Sequence, residues 1–386
     1  MSSASAPRIA IVGAGLGGLA CARGLQLHGH SVTVFEQEIS PGARTQGGTL
    51  DLHADTGQVA LRAAGLFEMF RSLARPEGQE MRALDPITAE ILHHEQPDGD
   101  YAPEIDRGQL RDLFLESLTP GTIYWGQTVE SVSPDGTALR FRDGATQQFD
   151  LVVGADGAWS RIRPALSAAT PTHTGTTLVE TFLDEADAHH PALAHLVGNG
   201  TIIAKSGRTM LSAQRNSGGH IRVYAGLEIP HDWHLAAGLD LDDTTAVREH
   251  LLTIFDGWHD SLLDLLRCSE GGFVNRPLFV LPVGHTWDHT PGITLLGDAA
   301  HLMPPFGIGA NLAMLDGVDL AAAIATHPTI DEAIRAYETV MLPRSTAAAQ
   351  ACADLDQVIA SGAPIEVDGI RRQLNERLLQ PSDRQT

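Results

Sequence analysis

Three glycines near the start of the chain, Gly13, Gly15 and Gly18, have the spacing G-x-G-x-x-G. The first permits a tight turn, the second lets the backbone approach a pyrophosphate, and the third lets a helix pack closely on a strand. Glu36 follows 18 residues after the last glycine, where its carboxylate can accept hydrogen bonds from both hydroxyls of a ribose. The pattern predicts a dinucleotide site, and Glu36 disfavours NADP in it because a carboxylate repels a 2′-phosphate.

A second glycine-rich turn, GDAAHLMPPFGIGAN, occupies residues 297–311. Asp298 ends a predicted buried strand, ITLLGD, where it can accept hydrogen bonds from ribityl hydroxyls or lie near a pyrophosphate. The turn leads into an Ala-rich helix, whose positive end can face the carbonyl oxygen at position 2 of a reduced flavin ring. A ribityl chain and a ring that becomes negative on reduction are features of a flavin and not of NAD, so this turn favours FAD over NAD. The backbone N–H groups for the ring would come from Gly307, Ile308, Gly309 and Ala310.

The elements that position these turns follow from the apolar pattern. Residues 8–36 alternate a buried strand, the glycine turn, a helix and a strand, which together form one βαβ unit. A further helix is predicted from Arg107 to Leu118, with Asp106 at its N-cap. After the second turn, helices should run from Asn311 to Thr326 and from Ile330 to Asp354. Pro343 should bend or interrupt the last one.

We therefore predict an α/β protein with a Rossmann-like FAD-binding domain, an inserted β-rich substrate domain and a C-terminal helix. The inserted domain is indicated by a change to scattered strands after about residue 172. The predicted boundaries are 7–75, 101–171 and 277–326 for the FAD-binding domain, 76–100 and 172–276 for the substrate-binding domain, and 327–380 for the C-terminal helical region.

Charge and composition restrict the partners. The 386 residues include 26 Lys and Arg against 48 Asp and Glu, so the net charge of −22 repels nucleic acid and anionic membrane surfaces. No apolar run is long enough for a membrane helix, and the first residues lack the pattern of a secretory leader. We expect a cytoplasmic monomer. Its three cysteines, Cys21, Cys268 and Cys352, are expected to be reduced, buried thiols.

Three separated motifs resemble those of FAD-dependent monooxygenases of the aromatic-hydroxylase type. They are IVGAGLGGLACARGLQLHGHSVTVFE, DLVVGADGAWSRIR and GDAAHLMPPFGIGAN. Within that family, GGTLDLHADTGQVALRAAGL and EIDRGQLRDLFLESL resemble the tetracycline-inactivating monooxygenases. The likeness covers most of the predicted FAD-binding domain and is thin over 172–276.

The resemblance implies roles for individual residues. Glu36 would hold the adenosine ribose, Arg107 would reach the linker of FAD, Asp298 its ribityl or phosphate region, and Asp51 would lie on the flavin side. Arg44 matches a position associated with the nicotinamide cofactor. The Asp156-Gly157 pair resembles a motif that contacts both FAD and NADPH, and Arg161 and Arg163 beside it could meet phosphates. The implied substrate-binding residues are Arg208, Tyr224, Glu180 and Phe306.

The sequence also departs from the family pattern. Gln37 follows Glu36 where relatives often carry Arg, and the turn at 304–311 is one residue shorter than usual, with Ile308 in place of Gln. The turn must therefore act through backbone N–H groups. Glu180 and Tyr224 stand where the tetracycline enzymes use Gln and His.

The implied reaction begins with NAD(P)H, with NADPH favoured, which reduces the flavin and leaves. O2 then adds at C4a to give a hydroperoxide that transfers one oxygen atom to an aromatic or polyketide-like, possibly tetracycline-type, small molecule. No catalytic side chain and no metal are required, and we interpret His301 as a structural residue of the turn. Two alternatives stay open: a flavin-dependent reductase on the same scaffold, and a non-catalytic protein that sequesters flavin or a small molecule. A halogenase is disfavoured because no W-x-W-x-I-P sequence is present.

Overall fold

The computed structural model describes residues 6–44, 46–97 and 99–360. Short strands alternate with helices in the first part of the chain, and longer strands follow from residue 172. The strands are β1 Ile9–Val12, β2 Val32–Phe35, β3 Thr49–Asp51, β4 Met81–Leu84, β5 Ile91–Glu95, β6 Glu104–Asp106, β7 Ile123–Tyr124, β8 Val129–Val132, β9 Ala138–Phe141, β10 Thr146–Gln148, β11 Leu151–Gly154, β12 Thr172–Leu183, β13 Thr201–Ser206, β14 Thr209–Arg215, β15 Ile221–Leu227, β16 Val274–Val280 and β17 Ile293–Leu295.

The helices fall into two groups, one beside the short parallel strands and one beside the longer strands. None of the helices in the described ranges has both the length and the apolar character that a membrane crossing requires. They are α1 Leu16–Leu27, α2 Gly57–Ala63, α3 Phe67–Leu73, α4 Arg107–Ser117, α5 Ala186–His189, α6 Pro191–Val197, α7 Trp233–Ala236, α8 Thr244–Ile254, α9 Asp260–Arg267, α10 Asp298–His301, α11 Gly309–Thr326 and α12 Ile330–Ala360.

A parallel sheet with the order β17-β11-β1-β2-β7 forms the first layer. All four residues of β1 and of β11 are buried, as expected for strands that are covered on both faces. Because the strands are parallel, their carboxyl ends meet at one edge. Gly13, Glu36, Asp156 and Asp298, predicted from four separate segments, all follow strands of this sheet at that edge.

A larger sheet with the order β16-β12-β15-β14-β13-β4-β5 forms the second layer. Its strands alternate: Ile221, Val223 and Ala225 of β15 belong to a core shared with α5 to α9, whereas Arg222 and Tyr224 point to the opposite face. One face is thus apolar and covered, and the other is polar.

Helices α1 and α11 contact each other through their backbones. A Cβ at Gly17 would lie 2.8 Å from the carbonyl oxygen of Ala313, and one at Gly24 would lie 2.7 Å from the Cβ of Ala321. Since residue 17 meets 313 and residue 24 meets 321, the two helices run parallel and begin at the same end. The small residues of α11 are explained by this close packing.

The predicted fold class is confirmed: a parallel α/β layer, a β-rich layer and a C-terminal helix are all present. The domain boundaries stay a prediction, and the part of the C-terminal region beyond residue 360 lies outside the described residues. The predicted interruption at Pro343 is wrong, because α12 continues through it from Ile330 to Ala360. Pro343 is exposed, so solvent can satisfy the carbonyl that the missing N–H leaves free.

Candidate active site

The first glycine turn has two packed glycines and one open one. Gly13 has φ +108°, and a Cβ there would lie 2.3 Å from the carbonyl oxygen of Ala155. A Cβ at Gly18 would lie 2.2 Å from the carbonyl oxygen of Gly13. By contrast, a Cβ at Gly15 meets no atom of the described residues within 4 Å. The open side of Gly15, at the N-terminus of α1, fits a pyrophosphate.

Glu36 lies beside this turn, mostly buried. One carboxylate oxygen accepts a hydrogen bond from the Ala14 N–H at 2.7 Å, and the other accepts one from the Glu38 N–H at 2.9 Å. Each oxygen keeps further acceptor capacity, so the carboxylate is fixed at the turn and can still receive ribose hydroxyls.

Arg111 is a residue of this region that the sequence analysis missed. Its buried guanidinium donates to the carbonyl oxygens of Pro41 at 2.7 Å and Ala14 at 3.3 Å, and it pairs with Glu38 at 3.1 Å. The other oxygen of Glu38 pairs with Arg44 at 2.6 Å. Arg44 is 63% exposed, so its proposed contact with a nicotinamide cofactor would be made at the surface.

The Asp156 loop is held by its own carboxylate. One oxygen accepts from the Arg161 N–H at 2.6 Å, while the other, Oδ1, is buried without a hydrogen-bond partner in the described ranges. Burial raises the pKa of Asp156. Arg163 does not face a phosphate site as expected, because its buried guanidinium donates to the carbonyl oxygens of Ala158 at 2.5 Å and Ala299 at 3.1 Å.

Asp298 begins α10, directly beyond β17, and it is exposed. Within the described part of the chain its carboxylate makes no hydrogen bond. Burial lowers the pKa of Arg107 and of Arg163, and the charge of Asp298 lies close enough to both guanidinium groups to oppose that effect in part. This free carboxylate at the sheet edge fits the proposed contact with ribityl hydroxyls.

The second glycine turn is held by Asn311. Its side-chain N–H₂ donates to the carbonyl oxygens of Asp51 and Gly307, both at 2.8 Å. Its side-chain oxygen accepts from the N–H groups of His53 at 3.0 Å and Gly57 at 3.1 Å. Asn311 thereby joins the turn to the segment that contains Asp51, a role that the sequence analysis did not assign to it.

The side chain of Ile308 faces helix α12. It is 1% exposed and packs with Met303, Leu312 and Cys352 in a small apolar cluster beneath α12. Ile308 therefore anchors the turn, and only its backbone is available to a flavin. Gly309 and Ala310, at the start of α11, are half-buried.

Arg107 lies between the two layers. A Cβ at Gly47 would lie 3.7 Å from its Cδ, and the guanidinium makes no hydrogen bond to any residue that the structure describes. Burial lowers the pKa of Arg107, an effect that Asp298 opposes and the positive charges of Arg44 and Arg276 strengthen. It is a half-buried cation without a bonded anion among the described residues, as expected of a residue that binds a ligand.

Tyr224 and Glu180 come together on the polar face of the large sheet, paired in register across β12 and β15. The Tyr224 hydroxyl lies 2.9 Å from a Cβ position at Gly48, so the sheet touches the Gly47–Gly48 segment. Burial and, second, the charge of Glu180 raise the pKa of Tyr224 to about 12. Tyr224 is therefore a hydrogen-bond donor at neutral pH.

Two other predicted substrate residues lie elsewhere. Arg208 is 77% exposed and pairs with Glu228 at 3.1 Å, at the opposite end of β15 from Arg222. Phe306 is half-buried and packs beside Ile308. Their proposed contacts with substrate stay predictions.

His301 is a structural residue, as interpreted from the sequence. Its Nε2 lies 2.6 Å from Oδ2 of the buried Asp316, whose other oxygen pairs with Arg344 at 2.9 Å. Burial alone would lower the pKa of His301, but the charge and hydrogen bond of Asp316 outweigh it and raise the pKa. The ion pair fixes α10 against α11 and α12.

Two smaller expectations, at Asp106 and Cys268, differ from the structure. Asp106 occupies the N-cap of α4 but makes no cap hydrogen bond, because its carboxylate accepts from the Ser217 N–H at 3.2 Å. All three cysteines are free thiols; Cys21 and Cys352 are buried as expected, and Cys268 is only half-buried. Within the described residues, no group of three or more His, Cys, Asp or Glu side chains could hold a metal ion.

The geometry is that of a dinucleotide-binding protein whose second sheet contacts the segment beside the glycine turns. A family model described as FAD binding domain matches residues 7–352, and the chain belongs to this family. FAD is therefore its cofactor, and the open side of Gly15 and the free carboxylate of Asp298 fit that group.

Curated relatives carry monooxygenase names. Monooxygenase asqM of Emericella nidulans is 33% identical over 81% of this chain and 83% of its own length. Monooxygenase penA of Penicillium thymicola is 31% identical over 89% of this chain and 93% of its own length. The predicted enzyme class, a FAD-dependent monooxygenase, is confirmed.

Solved structures share the fold. HpxO of Klebsiella pneumoniae, complexed with FAD, has a TM-score of 0.78 at 20% identity and covers 96% of this chain and 94% of its own. The tetracycline destructase Tet(51) has a TM-score of 0.68 at 20% identity and covers 96% of this chain and 95% of its own. The fold of this chain thus matches the folds of these two proteins along nearly its whole length.

Proposed function

We propose that this enzyme uses FAD, NAD(P)H and O2 to hydroxylate an aromatic or polyketide-like, enolic small molecule, of which tetracyclines are one candidate. The observation that carries the proposal is the parallel contact of α1 with α11. It sets two positive helix N-termini side by side, at the edge where Glu36 and Asp298 lie. One helix end suits the pyrophosphate of FAD, and the other suits its ring.

The residues that would hold FAD are spread along this edge. Gly13, Gly15 and Gly18 would cradle the pyrophosphate and Glu36 the ribose. The ring side would meet Asp51, Arg107 and Asp298, with backbone N–H groups from 307–310. Bound FAD supplies the redox chemistry, by accepting a hydride and by activating O2.

The protein's own part is to orient the substrate and to exclude water. Tyr224, which keeps its proton because its pKa is about 12, would donate a hydrogen bond to a substrate oxygen. Phe306 would supply an apolar wall. We assign no side chain as a catalytic acid or base, since oxygen transfer to an electron-rich carbon demands neither.

NAD(P)H would bind transiently, with Arg44 and the Asp156 loop as its contacts. Arg44 is an exposed cation that suits the ribose 2′-phosphate, the group that NADPH carries and NADH lacks. We expect NADPH to be preferred to NADH for that reason.

The test is oxygen uptake and product mass. The purified yellow protein is incubated with NADPH and a panel of tetracyclines, anthracyclines and simple phenols. Stimulated NADPH oxidation with a product heavier by one oxygen atom supports the proposal. A product heavier by two hydrogens indicates a reductase, and ligand binding without NADPH oxidation indicates sequestration. Reduction of the substrate, or binding without NADPH oxidation, would each contradict the proposed function.

A further inference from the structure

The polar face of the large sheet carries two arginines around one buried carboxylate. Leu178 and Arg276 are paired in the register of β12 and β16, so Arg276 shares a face with Glu180, two residues along β12. Arg222 reaches the same carboxylate from β15. This is the face that Tyr224 shares, next to the Gly47–Gly48 segment.

Both oxygens of Glu180 are engaged by these arginines. Its Oε1 accepts from Arg222, and its Oε2 accepts from Nε of Arg276 at 2.8 Å. The Glu180 side chain is 8% exposed, so its charge must be paired where it lies. Each oxygen of Glu180 is paired with a different arginine, so Glu180 holds Arg276 in place, and its predicted direct contact with substrate stays a prediction.

The two arginines are not equivalent. Arg222 is nearly buried and also donates to the carbonyl oxygen of Gln46 at 3.0 Å, so it is used in joining the layers. The Arg276 side chain is 43% exposed and is held only through Nε. Its two terminal nitrogens have no hydrogen-bond partner among the described residues. A fixed guanidinium with a free edge is suited to a carboxylate or another oxyanion.

The local charge favours an anion. The charged groups that act on Arg107 and Tyr224 here are Arg44, Arg107, Arg222 and Arg276 and the carboxylates of Glu180 and Asp298, so positive groups outnumber negative ones locally in a chain of net charge −22. Because the overall field repels anions, this local excess is what could retain one.

We infer that Arg276, positioned by Glu180, binds an ionised group of the substrate, so that the proposed enzyme selects acidic aromatic or enolic compounds over their neutral counterparts. Arg276 is then a specificity-determining residue, and Glu180 is a positioning residue. The inference rests on the proposed function for the identity of the pocket, but its test measures binding alone.

The experiment uses 2-naphthoate and 2-naphthamide, which match in size and differ in charge. Binding to the FAD-loaded enzyme is measured by calorimetry and by the change in flavin absorbance. We expect the acid to bind about tenfold more tightly than the amide, as a charge-assisted hydrogen bond predicts. Arg276→Gln should bring the two affinities within about twofold of each other by weakening the acid alone.

A second variant separates positioning from charge. Glu180→Gln makes the region more positive, so a purely electrostatic role predicts tighter binding of 2-naphthoate. The positioning role predicts weaker binding, because Arg276 loses its charged partner. Tighter binding in Glu180→Gln would overturn the role given to Glu180.

Arg267→Gln is the matched control, since Arg267 is an arginine of the same layer that pairs with Asp260 and Asp264 on α9. It should leave the preference for the acid intact. The inference is wrong if the wild-type enzyme binds the amide as tightly as the acid or binds neither compound. It is also wrong if Arg276→Gln still binds the acid more tightly than the amide. Each of these results is compatible with the proposed function, which is supported separately if the enzyme oxygenates a neutral compound.

Discussion

The side-chain oxygen of Asn311 accepts a hydrogen bond from the His53 N–H at 3.0 Å, across 258 residues of sequence. The same side chain donates to the carbonyl oxygen of Gly307. The proposed flavin turn and the strand that carries Asp51 are therefore held by one amide. Any motion of the turn must break buried hydrogen bonds.

Asn311→Asp should loosen this link. The carboxylate can still accept from His53 and Gly57, but it cannot donate to Asp51 and Gly307, and it adds a buried charge. We expect the free energy of unfolding to fall by about 2–4 kcal/mol, and FAD to be retained less well. Urea unfolding and the ratio of flavin to protein absorbance measure both effects. Gln147→Glu makes an amide-to-acid change on the exposed strand β10 and should alter neither.

Gly15→Ala should separate binding from folding. The open side of Gly15 accommodates a methyl group, so the melting temperature without FAD should stay near that of the wild type, while FAD affinity falls about tenfold or more because the pyrophosphate loses its close approach. Gly13→Ala should instead lower stability by about 2 kcal/mol or more, because φ is +108° there. Unchanged FAD affinity in Gly15→Ala would argue against the cradle; Gly272→Ala, at an exposed glycine of the other layer, is the control.

Ile308→Gln tests which way the turn presents its side chain. The substitution introduces the Gln that the resemblance implies for this position, but here it would bury an amide in an apolar cluster. Stability should drop by about 2–3 kcal/mol, against about 1 kcal/mol for Ile308→Val. Thermal unfolding distinguishes the two. A Gln variant as stable as the wild type, with tighter FAD binding, would show that this side chain faces the bound FAD.

The His301–Asp316 pair should make stability depend on pH. The folded pKa of His301 is raised above 6.5, so its contribution is fully present below that value and is lost as the pH rises through the folded pKa. The stability lost in His301→Gln should thus be largest near pH 6 and shrink toward pH about 9. The denaturant unfolding measurements should be made above pH about 5. Because the pKa of Asp316 is lowered in the folded state, its own contribution to stability is lost at acid pH and would obscure the effect of His301. In the exposed His28→Gln variant no such trend is expected.

The βαβ unit and both glycine turns could be predicted because their evidence is local. A buried strand, a glycine spacing and a following helix lie within thirty residues, roughly the length of such a unit. The meeting of Glu36, Asp156 and Asp298 at one edge then follows from the parallel order of the strands.

The pairing of Glu180 with Arg276 could not be predicted, since it joins residues 96 apart through the register of two strands. The same limit applies to Asp106, which local reasoning assigned to a helix cap and which bonds Ser217 instead, 111 residues away. Arg111 carried one usable signal: it lies one helical turn after Arg107 on α4.

The contact of α1 with α11 involves glycines, alanines and backbone atoms, none of which can yield by rotating a side chain. The spacing of the two helix N-termini, which we propose to face opposite ends of FAD, is therefore set by the main chain. We therefore expect mutations on the large sheet to change which compound is oxidised while leaving FAD binding unchanged. FAD binding and substrate choice would then depend on separate sets of residues, so the substrate could change during evolution while the flavin chemistry stays the same.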